Sequence, residues 1–324
     1  MREIGGYFEL DTYALPMLHE EALALNCGRG CLAYLVEAKK IQKIALPYYL
    51  CGSISALLNK YGVDISYYHI NEALLPEKLD FPDDVWLYLV NYFGQLTDWQ
   101  ITAIQQQHPK TIVDNAQAYF AMPLPGVDTL YTCRKFFGVS DGAFLYTDKT
   151  LARELPRDES FERMHFVLGR YDRNAPSFFR EASDNNAFFA KEPIKRMSAL
   201  TLNLLHAVDY DGVKGKRDRN YALLDRHFNK INRLRPRMVE GAYAYPLWLP
   251  NGAEIRKKLI EQKIYVAALW PNVLRDMPSN SLEYELAGNV LPMICDQRYG
   301  SDEMLLQCEK TDLFMGSLQM SELY

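Results

Sequence analysis

"VDTLYTCRKFFGVSDGAFLYTD", Val127 to Asp148, decides the fold. Two apolar runs flank a Ser140-Asp141-Gly142 turn, which reads as a hairpin adding an antiparallel strand to a sheet. Everything before it alternates between helix and strand. "GRGCLAYLVEAKK" (Gly28 to Lys40) carries Leu32, Leu35 and Val36 at helical spacing, and "KIALP" is a short strand stopped by Pro47. "GSISALLNKYG" is a second helix with Gly62 as its stop, and "DISYYHI" a second strand. "DVWLYLVNYFG" (Asp84 to Gly94) is a near-continuous apolar run, as in a strand buried on both faces. "TDWQITAIQQQHP" is a helix ended before Pro109, and "TIVDNAQ" a strand with a polar tip. This order predicts a doubly wound α/β sheet, mostly parallel and flanked by helices.

After the hairpin, a charge-rich helical stretch runs from about Lys149 to Asp225, including "KRMSALTLNLLHAVD" as an amphipathic helix. The final third predicts strands "YAYPLWLP", "KIYVAAL" and "NVLPMI" and helices "AEIRKKLIEQ" and "SDEMLLQCEK". These divide the chain into a large α/β domain at 20–215 and a small α+β domain at 216–324, joined by residues 1–19.

The 324 residues, 48% hydrophobic and 24% charged, suit a globular chain with a large core. A formal net charge of -5 argues against nucleic-acid or anionic-membrane partners, because no basic field would draw phosphate polymers in. No window approaches the roughly 18 apolar residues of a membrane span, and the N-terminal residues lack a signal-peptide pattern. The six cysteines, Cys27, Cys31, Cys51, Cys133, Cys295 and Cys308, form no CxxC pair. Scattered thiols of this kind predict a reduced, cytoplasmic protein. The six histidines have no HxxxH or HExxH spacing, so no metal is expected.

Three stretches carry chemistry. Asp114, at the tip of "TIVDNAQ", falls where open α/β sheets bind ligands, and its carboxylate could hold a cationic ring nitrogen. A helix N-cap is the alternative. "NCGRG" (Asn26 to Gly30) precedes a helix, so its free N–H groups and the helix dipole suit an anion, with the glycines allowing close backbone approach. It matches neither the GxGxxG nor the GxxxxGK[ST] pattern, which sets dinucleotide and ATP-loop readings aside. Lys135 ends a strand near both. Burial and the neighbouring Arg134 would lower its pKa and free a nucleophilic amine; a solvated turn lysine is the alternative.

Together these stretches resemble the DegT/DnrJ/StrS-type aminotransferases, pyridoxal-phosphate (PLP) enzymes of fold type I that mostly aminate nucleotide-linked keto sugars. "NCGRGCLAYL" is similar to that family's Ser-Gly-Thr-x-Ala-Leu segment, and "IALPYYLCGSISALLNKYGVDISYYHI" to its Pro-x-x-Thr-Phe segment. "YLVNYFGQLTDWQ" follows its His-x-Tyr-Gly-Gln segment, "IVDNAQAYF" its Glu-Asp-x-Ala-Gln-Ala, and "RKFFGVSDGAFLYT" its lysine and Gly-Glu-Gly-Gly turn. The resemblance implies PLP as cofactor and Lys135 as its Schiff-base lysine, a side chain expected to be buried with Phe136 and Phe137 as walls. It implies that Asp114 pairs with the pyridinium nitrogen and that Gln117 lies near the phenolic oxygen. Arg29 and Gly30 would give backbone amides to the phosphate, Thr132 a hydroxyl, and Tyr49 a stacking ring; Arg134 joins the cofactor-binding set. Cys51, Arg29 and Asn91 stand where the family has an aromatic residue, a threonine and a histidine.

The activity so implied moves an amino group, from glutamate, to a nucleotide-linked keto sugar in a homodimer with a shared site. "RYDRNAPSFFREASDNN" (Arg170 to Asn186) is the segment expected to reach the second subunit. The alternatives are a PLP-binding paralogue without turnover and a PLP-dependent sugar dehydratase; in dehydratases of this kind histidine replaces the lysine.

Overall fold

The computed structural model describes residues 4–321. Its nine strands are β1 (Leu23–Leu25), β2 (Lys43–Pro47), β3 (Asp64–Tyr68), β4 (Trp86–Val90), β5 (Thr111–Asp114), β6 (Asp128–Thr132), β7 (Ala143–Tyr146), β8 (Tyr245–Trp248) and β9 (Val290–Met293). The first seven form one sheet in the order β1-β7-β6-β5-β4-β2-β3. Strands β2 to β6 pair in parallel; β7 runs antiparallel to both β6 and β1. The Val127–Asp148 stretch is the expected hairpin. β4 and β5 are covered on both faces, which is why their sequences read as continuous apolar runs.

The helices are α1 (Gly28–Lys39), α2 (Gly52–Lys60), α3 (Asp98–Gln107), α4 (His165–Asp172), α5 (Phe179–Phe188), α6 (Ala199–Leu205), α7 (Tyr210–Phe228), α8 (Gly252–Glu261), α9 (Pro271–Asp276), α10 (Leu282–Asn289) and α11 (Ser301–Ser321). Local chemistry sets several ends. Thr97 and Gln100 form a reciprocal capping box at the start of α3. The chain leaves α2 through Gly62 at φ +67°, a conformation glycine adopts without strain.

Three sequence expectations are corrected. "KRMSALTLNLLHAVD" is helical only over Ala199–Leu205. Before that the backbone is extended: Met197 donates to the Ala24 carbonyl at 3.1 Å and Asn26 to the Lys195 carbonyl at 3.0 Å. Pairing beside β1 wins over helix there, and Ser198 then caps α6 by accepting from Thr201 N–H at 3.0 Å. "KIYVAAL" forms no strand; Ile264 and Val266 are buried, but the second sheet contains only β8 and β9, antiparallel. The region from Lys149 to Ser160 is irregular, so the helical stretch begins later than expected.

The main core lies between the seven-stranded sheet and α1 and α2, with Leu32, Leu35, Ile44 and Leu58 at its centre. A second cluster is drawn entirely from Tyr221 onward, between β8, β9, α7, α8 and α11. A third is aromatic and packs Tyr119, Tyr131, Phe136 and Phe144 behind the hairpin. Among the described residues no helix is long and apolar enough to cross a membrane, and no group of three His, Cys, Asp or Glu could hold a metal.

His19 is fully enclosed in the aromatic cluster, its Nε2 2.8 Å from the Tyr119 carbonyl and its Nδ1 3.1 Å from the Tyr146 hydroxyl. Burial holds its pKa down at about 4. The unfolded chain takes up this proton below about pH 6.5 and the folded chain only near pH 4. The unfolded state therefore binds more protons across that window, and stability falls as the pH drops through it. Urea titrations at pH 7 and pH 5 should show the loss, and His19→Gln should lessen it. An identical pH slope in that variant would return the effect to other groups.

Candidate active site

The site forms at the carboxyl ends of β4, β5 and β6, where register sets Val90 beside Asp114 and Asp114 beside Leu130. Asp114 is buried. Its Oδ2 accepts from the Tyr88 hydroxyl at 2.8 Å and its Oδ1 from Ala116 N–H at 2.8 Å. No helix starts here, so the N-cap reading does not apply; the carboxylate instead closes a local turn. Three residues on, Gln117 Oε1 accepts from Phe93 N–H at 2.9 Å. The Gln117 Nε2 donor is buried without a partner.

Lys135 lies in the turn after β6. Contrary to expectation its side chain keeps exposed surface. The surrounding protein nevertheless lowers its pKa: desolvation is the largest influence, Asp114 and Cys51 oppose it, and Arg134 adds to it. Both observations describe an amine in a cleft, touched by solvent on one side and enclosed by protein atoms elsewhere. Its Nζ is 5.6 Å from the centre of the Tyr243 ring. Phe136 and Phe137 turn away into the aromatic cluster around Tyr119. The Tyr243 ring is therefore the aromatic neighbour of the amine, and sequence reasoning had not singled it out.

The start of α1 is built differently from the sequence expectation. Gly30 N–H donates to Cys27 Sγ at 3.3 Å, and a Cβ on Gly30 would lie 2.9 Å from Asn26 Oδ1. The close approach that excludes a side chain there is therefore to Asn26. Asn26 is fully buried and neither atom of its amide has a partner. Arg29 and Arg134 converge on one residue: Arg29 Nη2 donates to the Asn186 carbonyl at 2.6 Å and Arg134 Nη1 to Asn186 Oδ1 at 2.6 Å. Arg134 also lies 4.6 Å over the Phe189 ring. Its pKa is lowered mainly by burial and also by Arg29. The Arg170–Asn186 segment thus reaches the site of its own chain, anchored further by Asn185 Nδ2 on the Ser140 carbonyl at 2.8 Å.

Thr132 is buried at the last position of β6. Tyr49 is fully enclosed, its ring 4.5 Å from Trp270 and 5.4 Å from Tyr92 between centres. No face of it is open to stack on a ligand. Cys51 is partly exposed and forms one wall of a cavity of about 260 Å³ with Pro47, Tyr48, Ser55, Tyr67 and Asn272. Asn91 donates to Asn115 Oδ1 at 2.9 Å and accepts from Leu96 N–H at 2.9 Å, tying β4 to the Asp114 turn. Asp141 accepts from Ser198 N–H and Oγ, each at 2.8 Å, and from the Thr201 hydroxyl. It locks the hairpin turn to α6. Gly142, at φ +112°, holds a conformation that other residues adopt only with strain, and a Cβ there would press on Thr201 at 3.0 Å and Cys133 Sγ at 3.1 Å.

No protein-family model and no curated protein sequence matches the chain. Solved structures do. A DegT DnrJ EryC1 StrS aminotransferase from Brucella abortus covers 90% of this chain and 85% of its own, at 10% identity and a TM-score of 0.59. The sugar aminotransferase CalS13 from Micromonospora echinospora covers 89% and 86% respectively, at 12% identity and a TM-score of 0.60. A GDP-4-keto-6-deoxy-D-mannose-3-dehydratase of E. coli, solved with bound hydrated PLP, covers 90% and 87%, at 14% identity and a TM-score of 0.59. The chain has the fold of PLP-dependent aminotransferases. Its structural neighbours thus include an aminotransferase named for the DegT DnrJ EryC1 StrS group, a sugar aminotransferase and a PLP-bound sugar dehydratase.

The residues present fit such a cofactor. Gln117 Nε2 is a buried donor in need of an acceptor, three residues from a buried carboxylate, and Lys135 offers an amine with depressed pKa.

Proposed function

We propose that the protein is a PLP-dependent aminotransferase that transfers an amino group from glutamate to a keto sugar carried on a nucleotide. The observation that carries this reading is placement: Asp114 ends β5 and Lys135 lies in the turn that follows the adjacent β6, at the same edge of the sheet. When bound, the cofactor supplies an electron sink. Asp114 Oδ would accept a hydrogen bond from the protonated ring nitrogen and keep that proton in place. Gln117 Nε2 would donate to the phenolic oxygen. Lys135 would hold the cofactor covalently at rest. Its Nζ, when free, would be the group placed to take up and give back the substrate proton.

Arg29, Arg134 and the start of α1 gather positive charge where a phosphate would be held. Neither guanidinium has an ion-pair partner among the described residues, which leaves both available to a dianion. The large cofactor domain is assigned to 20–215 and the small one to 216–324 with 1–19; the separate apolar cluster from Tyr221 onward supports the second, while Met17 and His19 pack in the aromatic cluster of the first. A cytoplasmic homodimer is the expected form.

Lysine at 135 favours transamination over dehydration. The reading to separate from it is a PLP-binding paralogue without turnover, because Cys51 supplies no aromatic ring and Tyr49 is enclosed. Purified protein supplied with PLP should be yellow and lose its long-wavelength absorbance when glutamate alone is added. Colour that survives glutamate would favour the paralogue.

A further inference from the structure

Arg217, in α7, is 1% exposed, among the most deeply buried large side chains of the molecule. Removing a guanidinium from water is expensive unless its donors are satisfied. Among the described residues no carboxylate pairs with it; the acid nearest in charge, Asp296, is paired with Arg298 at 2.7 Å. Its donors go elsewhere. Nη1 donates to the Ala242 carbonyl at 2.7 Å and the Tyr243 carbonyl at 3.5 Å. Nη2 donates to the Phe136 carbonyl at 3.3 Å and Nε to Gln297 Oε1 at 2.7 Å. The Gln297 amide then returns to the Phe136 carbonyl at 2.7 Å. The guanidinium also lies 4.7 Å over the Phe136 ring.

Two of these acceptors belong to residues beside the lysine. Phe136 is the residue after Lys135, and Tyr243 is the residue whose ring faces the Lys135 amine. The two strands of contact come from separate parts of the chain, one from the turn after β6 and one from the segment before β8. An apolar side chain of similar volume would pack at lower cost but could not fix carbonyls at set directions.

We propose that Arg217 is the positioning residue for the Lys135 amine: one buried guanidinium, backed by Gln297, holds both the turn that carries the lysine and the ring that faces it. The inference rests on the reading of Lys135 as the cofactor lysine, but its test does not require the cofactor. The groups that act on the amine are Asp114 at the end of β5, Cys51 ahead of α2, Arg134 in its own turn and the Tyr243 ring before β8. Loosening the turn would let more water surround the amine and carry it away from these groups.

The measurement is competitive acetylation of the full chain across pH before cofactor is added, read on the Lys135 peptide by mass spectrometry. In Arg217→Met the Lys135 midpoint should rise toward the value of an ordinary lysine. Gln297→Leu, which removes one donor to the same carbonyl, should move it the same way by less. A folded Arg217→Met protein with lowered thermal stability and an unmoved Lys135 midpoint would overturn the proposal and leave Arg217 a structural brace. Should Arg217→Met not fold, Gln297→Leu decides alone, and an unmoved midpoint overturns the proposal equally. Borohydride mapping of the PLP-loaded wild type keeps the two failures apart: loss of the adduct at Lys135 would count against the functional reading, while the midpoint comparison would stand on its own.

Discussion

Lys135→Ala should leave the fold intact and abolish covalent attachment of PLP, with transamination reduced at least about 10²–10⁴-fold by loss of the proton-transfer group alone. The fold should survive because the side chain packs into no core; it keeps exposed surface in a cleft. Its removal takes away a cation held against desolvation, and no buried acid depends on it for its only hydrogen bonds: Asp114 keeps Tyr88 and Ala116. Borohydride reduction of the wild type followed by peptide mapping should give a phosphopyridoxyl adduct on the Lys135 peptide. An adduct on another lysine, or transamination surviving in Lys135→Ala, would sink the assignment.

Asp114→Asn should have the second-largest effect. An amide of the same shape can still accept the Ala116 N–H and meet the Tyr88 hydroxyl, so stability should change by about 1 kcal/mol. Turnover should fall roughly 100- to 1,000-fold, because a neutral group no longer stabilises the charged ring nitrogen. Cofactor affinity, circular dichroism and steady-state rate on the same preparation separate the outcomes. A well-folded, cofactor-loaded Asp114→Asn protein with near-wild-type rate would remove Asp114 from the mechanism.

Both predictions concern residues that sequence reasoning had already singled out, and the reason is physical. "TIVDNAQ" and "LYTCRK" are apolar runs ending in polar groups, and parallel strands deliver their carboxyl ends to one edge of the sheet. Strand and helix periodicity, the Pro109 and Gly62 stops and the Ser140-Asp141-Gly142 turn are local signals, and they marked the elements from α1 to β7, while the three-residue β1 carried too short a pattern to read. Local signals fail where distant groups compete for the backbone. Arg196, Met197 and Ser198 have helical neighbours in sequence, yet their N–H groups donate to Pro156, Ala24 and Asp141 respectively, which holds them extended. Ile264 and Val266 have strand-like character but no strand to pair with, so burial without a ladder leaves them irregular.

The same division runs through the site. Residue type, position in the chain and the family resemblance were enough to select Lys135, Asp114 and Gln117 as candidates. They were not enough to assign Gly30, whose missing side chain makes room for Asn26, or to show Tyr49 enclosed between Tyr92 and Trp270. Nothing near Asn186 in sequence marks it as the meeting point of Arg29 and Arg134, which lie 157 and 52 residues away. Arg217 likewise looks like one of several charges on a polar helix. Only packing turned it inward, where desolvation forces each of its donors to find a carbonyl or amide oxygen, and two of those oxygens belong to the residues that bracket the lysine.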